Sequence, residues 1–189
     1  MTFTQRQWHL ITDLFTRSVA TSMHCAVATV NPDGSPHLAP IGSFVLLDNG
    51  TGLFFDGFLG TTERNLRHDP RISVLAVDSS RLRWLKVLAT GRFRALPAIR
   101  LTGTAGARRQ ATPEELDQFR RRVRWLRRLK GHDLLWGNLR FVHDVTFDTA
   151  APVQTGALTK GLWPKTVDAD ADGPAPTAAP EGHHFRWSA

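Results

Sequence analysis

The chain has 189 residues, 41% of them apolar, enough for one domain with a real core and a tail, and no apolar run reaches the length of a bilayer-crossing helix. Cys25 is the single cysteine, so an internal disulfide is excluded, and its place in an apolar stretch reads as a small core residue. The net charge of +7 comes mostly from Arg; it fits nucleic acid, acidic membranes or phosphorylated ligands as partners, and equally an Arg-rich solubilising surface.

The N-terminus, MTFTQRQWHLITDLF, has no basic region leading into an apolar core, so no signal peptide is expected and a reducing, cytoplasmic setting is. Trp8, Ile11, Phe15 and Val19 recur at helical spacing with Leu14 beside them, predicting an amphipathic helix over 4–18 with Thr4 as N-cap. Residues 1–22 are expected to pack this helix on the domain that follows.

Met23 to Val30 reads as a strand. Asn31-Pro32-Asp33-Gly34 is a turn, because Pro fixes φ and Gly tolerates positive φ. Pro36 to Leu47 reads as a second strand whose two prolines remove ladder donors and push it to an edge, an end or a bulge. Asp48-Asn49-Gly50 turns into a third strand at Leu53-Phe54-Phe55. Thr61 to His68 makes two helical turns that Pro70 stops, and Ile72 to Val77 is a strand apolar enough to be buried on both faces. A fifth strand is expected over 87–96, with Gly91 as a bulge, after an exposed edge at Arg81 to Trp84. A sixth runs from Ile99 to Ala105, where Gly103 suggests a close approach.

Thr112-Pro113-Glu114-Glu115 opens a helix with N-cap, Pro and capping Glu in order, and it is expected to run to Lys130. Leu116, Phe119, Val123 and Leu126 form its seam; Arg120, Arg121, Arg122, Arg124, Arg127, Arg128 and Lys130 take the other faces. That is a solvated helix surface, with one interleaved aromatic, and it argues against a nucleic-acid site. Leu139 to Phe147 is the last strand; residues 151–189 read as an irregular tail, unstructured across its VDADADGPAPTAAPEG stretch. The sum is an α+β chain, mainly β: an antiparallel barrel with peripheral helices.

None of the eight His falls at metal-ligand spacing, and no P-loop, G-x-G-x-x-G or G-x-S-x-G is present. Chemistry gathers best at Thr61-Thr62-Glu63-Arg64-Asn65. A helix start offers unpaired N–H groups, the threonines add hydroxyls, Arg64 a cation and Asn65 an amide. That set suits a phosphate, although Thr61 or Thr62 could equally serve only as a cap.

ATVNPDGSPH (28–37), Pro40-Ile41, FFD (54–56) and RNLRHDPRISVL (64–75) together resemble the pyridoxamine 5'-phosphate oxidase-like family of FMN-binding split β-barrels. The resemblance implies an antiparallel split β-barrel over 23–150, a homodimer, and FMN in the groove between subunits. A deazaflavin or haem is the alternative ligand. It implies a phosphate held by Thr61, Thr62, Arg64 and Asn65, and a ring running beside His37, Pro40 and Ile41 and edged by Phe55 and Asp56. Relatives commonly carry a basic residue where this chain has Thr62, and pyridoxamine phosphate oxidase proper has Arg at the place of Thr61; Arg64, Arg67 or Lys86 could compensate. True pyridoxamine phosphate oxidation is therefore not expected. The implied activity is a flavin-dependent oxidoreductase reduced by a nicotinamide or another small reductant, with a non-enzymatic flavin-binding protein as the other reading.

Overall fold

A computed structural model describes residues 3–48, 50–57, 60–124, 128–129, 131–137 and 139–163. Of the expected tail over 151–189, the part from 164 onward, with the stretch expected to be unstructured (167–182), lies outside the described residues. Helix α1 (Gln5–Ser22) starts in the expected capping box: the Thr4 hydroxyl accepts from the Gln7 N–H at 3.3 Å, and the Gln7 side chain accepts from the Thr4 N–H at 2.7 Å. It ends where Met23 turns left-handed at φ 62°. Strands β1 (Cys25–Val30) and β2 (Pro36–Ile41) form a hairpin whose turn closes with the Gly34 N–H on the Asn31 carbonyl at 2.8 Å, Gly34 taking φ +82°.

The predicted second strand divides. After β2 it breaks at Gly42 and resumes as β3 (Val45–Leu46), which pairs with β4 (Thr51–Phe55). Then come α2 (Gly60–His68), β5 (Arg71–Val77), α3 (Arg81–Thr90), β6 (Ala98–Ala105), β7 (Arg109–Gln110), α4 (Pro113–Val123), α5 (Gly131–Trp136) and β8 (Phe141–Pro152). All pairings are antiparallel, in the order β2-β1-β5-β6-β8-β4-β3, with β7 also on β8. The two outer strands of that order are one bent stretch of chain, so covalent continuity through Gly42 curls the sheet into a barrel. This is the antiparallel split-barrel class, α+β.

The interior is filled by Val27, Ile41, Phe44, Phe54, Ile72, Val74, Leu101 and Phe147, with Trp8, Ile11, Phe15 and Val19 of α1 packed into it. The Trp8 indole N–H also donates to the Leu47 carbonyl at 2.6 Å, tying α1 to the end of β3. A second cluster, Leu53, Phe55, Phe119, Val123, Leu139 and Val142, lies where α4 covers the outside of β4 and β8.

Four further elements differ from the sequence reading. The predicted strand over 87–96 is instead α3, a helix from Arg81 to Thr90; Gly91 is its C-cap at φ +68°, not a bulge. Its Leu82, Leu85 and Leu88 recur at three-residue steps and are 72, 62 and 79% exposed, so the apolar run marks an outward helix face and not a core strand. The basic helix stops at Val123, capped by Arg124, and Gly131 opens α5 where it was expected to end one helix. β5 is not buried on both faces: Ile72, Val74 and Ala76 are, while Arg71 and Val77 are exposed. The last strand also runs beyond Phe147 to Pro152, extended by its pairing with β6.

Candidate functional site

The register of β1 and β2 decides which side chains point into the barrel. Cys25, Val27 and Thr29 face inward, so their partners Ile41, Ala39 and His37 do as well, and Pro36, Leu38 and Pro40 face out. Ile41 is 3% exposed and belongs to the core; a ligand could meet its backbone but not its side chain. Pro40 and Leu38 are exposed along a strand whose second edge pairs with nothing among the described residues. Half-buried His37 sits opposite Thr29 at the end of β1 that α2 covers.

Helix α2 closes that mouth of the barrel. Leu66 reaches the core, and Asn65, wholly buried, donates both amide protons to β1 and the turn after it: to Thr29 Oγ1 at 3.1 Å and to Asn31 Oδ1 at 2.8 Å. With its two donors engaged, Asn65 has none left for a phosphate and acts here as the pin between helix and sheet. Its Oδ1 is buried without a hydrogen-bond partner. Thr62 is 1% exposed and turned toward the barrel. Thr61 is half-buried, and Arg64 is exposed with no ion pair among the described residues. Of the predicted cradle, half-buried Thr61 and exposed Arg64 are therefore the parts left on the outer side of α2. A hydroxyl and an unpaired guanidinium beside a helix start are chemically suited to a phosphate.

At the same mouth the expected Asp56 joins two residues that the sequence reading did not name, Arg108 and His143. Asp56, directly after β4, is 9% exposed and pairs with Arg108 Nε at 2.8 Å. Arg108 lies with its guanidinium carbon 3.7 Å from the centre of the Phe141 ring. His143 of β8 is buried and stacked on Phe54 at 5.2 Å; its Nδ1 donates to the Gly106 carbonyl at 3.0 Å, leaving Nε2 4.0 Å from Asp56 Oδ2. A hydrogen bond from Arg67 holds the Glu63 carboxyl below its ordinary range, and Arg108 and His143 add to that pull. Arg108 and His143 could not be found from sequence: neither lies in a motif, and only the β4–β8 pairing and the bend after β6 bring them beside α2.

The sequence profile of the pyridoxamine 5'-phosphate oxidase family matches residues 11–143, which is most of the chain and takes in every strand from β1 to the start of β8. The chain belongs to the pyridoxamine 5'-phosphate oxidase family. Two crystal structures share the fold of this family member. HupZ from Group A Streptococcus superposes with a TM-score of 0.52 at 21% identity, covering 82% of this chain and 98% of HupZ. An FMN-binding protein from Syntrophomonas wolfei gives 0.56 at 13% identity, covering 78% of this chain and 88% of its own. At such identities the likeness speaks for architecture. No curated protein matches the sequence.

Within this family member the predicted site residues divide in three. His37, Asp56, Thr61, Thr62, Arg64 and Asn65 gather at the α2 mouth. Phe55 points to the outer side of the sheet, 4.9 Å from the Phe119 ring and covered by α4, so its side chain is core. Lys86 does not join the mouth: it lies on α3, entered from the far end of β5, about 20 Å of strand away from the end that α2 feeds. It lines a separate cleft with Arg17, Arg83, Arg92 and Arg94 and cannot stand in for the missing basic residue at Thr62.

Proposed function

We propose that this protein binds FMN and works as a flavin-dependent oxidoreductase on a small molecule, as a homodimer. The observation that carries the reading is the start of α2: in a barrel of this family, half-buried Thr61 and an exposed Arg64, with no ion pair among the described residues, stand within the first five residues of a helix, the end whose dipole and N–H groups favour a phosphate. In this reading those groups hold the phosphate. The outward face of β2, with exposed Leu38 and Pro40 and a free backbone edge, offers the ring apolar contact and hydrogen bonds. Bound there, FMN would supply the redox chemistry, and the chain would orient and tune it. A nicotinamide or another small reductant would deliver the electrons.

Residues at the mouth have defined tasks in such a site. Asn65 fixes α2 to β1 and so sets where the phosphate donors stand. The Asp56–Arg108 pair and His143 close the barrel below the helix, which keeps water out of its interior. Arg64 is the one cation of this pair, fewer than pyridoxamine phosphate oxidase proper places here, so the reading does not extend to that substrate. The fold of the Syntrophomonas wolfei FMN-binding protein supports the same choice of cofactor.

The test is an absorption spectrum of the purified protein, followed by fluorescence titration with FMN. Saturable FMN binding in the wild type, weakened at least about tenfold in folded Thr61→Ala/Arg64→Ala, is the expected result. A folded double mutant that binds FMN as the wild type does would remove the phosphate assignment. A Soret band in the purified protein would instead assign haem, and a retained chromophore with neither flavin nor Soret bands a deazaflavin.

A further inference from the structure

At the other end of β5, five cations from three stretches of chain line one cleft of about 620 Å³. They are Arg17 of α1, Arg83 and Lys86 of α3, and Arg92 and Arg94 of the segment leading to β6. No carboxylate lines it among the described residues. Arg83 is paired, with its Nη1 2.6 Å from Asp78 Oδ2. Lys86, Arg92 and Arg94 have no ion pair among the described residues, and the Nε of Arg17 is buried without a hydrogen-bond partner. Like charges gathered around one concave space repel each other unless an anion enters, and an orphaned buried N–H is costly to leave unmet. Leu82, Val87 and Ala95 supply apolar wall.

A second cleft, of about 260 Å³, shares Arg17, Arg94 and Ala95 with the first. Its wall is apolar, with Leu10, Leu14, Leu96, Leu162 and Trp163, and Asp13 is its one carboxylate. The two form one continuous surface, with a cationic end and an apolar end that holds an indole.

We propose that this double cleft binds a phosphorylated organic anion, its phosphate among Arg17, Lys86, Arg92 and Arg94 and its apolar or aromatic part toward Leu96 and Trp163. Guanidinium forks bond phosphate oxygens two at a time, and several cations around one space match the greater charge and the extra acceptor oxygens of a phosphate better than the single charge of a lone carboxylate. The volume is that of a ligand of nucleotide size. The site stands apart from the α2 mouth and does not depend on the flavin reading. A phosphate of this kind comes from a soluble metabolite or from an acidic lipid headgroup; the exposed Leu82, Leu85 and Leu88 beside the cleft make the second source worth a separate arm.

The experiment is calorimetric titration of the full chain with ADP and with inorganic pyrophosphate, alongside co-sedimentation with phosphatidic acid or phosphatidylcholine vesicles. The comparison variants are Lys86→Gln/Arg92→Gln/Arg94→Gln and, as a control that removes charge from α4, Arg120→Gln/Arg121→Gln. Saturable ADP or pyrophosphate binding, at least about tenfold weaker in the first variant and unchanged in the second, supports a soluble ligand. Sedimentation with phosphatidic acid alone, lost only in the first variant, supports a headgroup. Absence of binding to every probe, or equal loss in both variants, overturns the proposal. If the first variant fails to fold, a rise in the wild-type melting temperature with pyrophosphate, absent with sodium chloride of equal ionic strength, takes its place, and no rise overturns it.

Discussion

Cys25 and Asn65 show what single residues contribute at the two ends of β1. The Cys25 thiol is 1% exposed and donates to the Ile41 carbonyl at 3.5 Å; burial pushes its pKa up to about 12. With neither access nor thiolate, it should fail to react with Ellman's reagent in the native state and react fully in guanidinium. Prompt native labelling would contradict its placement. That burial was legible from the apolar run around it. The role of Asn65 was not, because a polar residue on a short helix looks the same whether it faces a ligand or a neighbouring strand. Asn65→Ala leaves Thr29 and Asn31 unmatched at the barrel mouth and should lower stability by about 1–3 kcal/mol in urea unfolding. A neutral result would mean the two hydrogen bonds contribute nothing.

Among elements, β6 and α3 form a contrast. Gly103 was expected to mark a close approach, and it does: the β6–β8 register shifts between Thr102 and Gly103, and an added Cβ would run into the Thr146 carbonyl oxygen and stand 2.8 Å from Phe147 Cα. The obstruction is the backbone of β8 and cannot rotate away. Gly103→Ala should therefore cost about 2–4 kcal/mol, seen as a lower denaturation midpoint; a wild-type midpoint would show that the sheet shifts to accept the methyl. α3 was misread because its Leu, Val and Trp content resembles a buried strand, whereas only Val87 of the helix is buried. Local composition cannot report which face meets the core when most apolar residues face out. Far-ultraviolet spectra of the isolated 79–92 peptide in helix-supporting solvent would test that preference; a β or disordered signal there would assign the helix to tertiary packing alone.

For the whole molecule, two properties can be followed in solution. Arg109 bridges three elements, bonding Asp144 of β8 at 2.6 Å and Glu115 of α4 at 2.6 Å, and those bonds push its pKa well above the ordinary guanidinium value. The hydrogen bond from Arg109 in turn lowers the Glu115 carboxyl from its usual 4.5. A carboxyl lowered by folding contributes stability that is complete above its unfolded value and is lost as pH falls through the folded one. Melting temperature should thus fall below about pH 4.5, and Glu115→Gln should remove part of that dependence, on the order of 1 kcal/mol. Equal acid sensitivity in the variant would shift the cause elsewhere. The second property is assembly: sedimentation should give twice the chain mass if the proposed dimer forms, and a monomer at micromolar concentration would leave the flavin without its second wall.

Periodicity, turns and caps determined the helix over the N-terminus, the β1–β2 hairpin, the short α2, the start of α4 and the antiparallel class, because each of these rests on residues within a few positions of one another. The motif order from Ala28 to Leu75 pointed correctly to the family for the same reason. The tertiary structure decided what depends on distant partners: that Phe55 faces α4 while Asp56 meets Arg108, that Asn65 binds β1, and that Lys86 stands with Arg17 and Arg94 and not with Thr61. Which of two faces a side chain takes is set by register and by what packs across the sheet, and those contacts join residues that no local pattern connects.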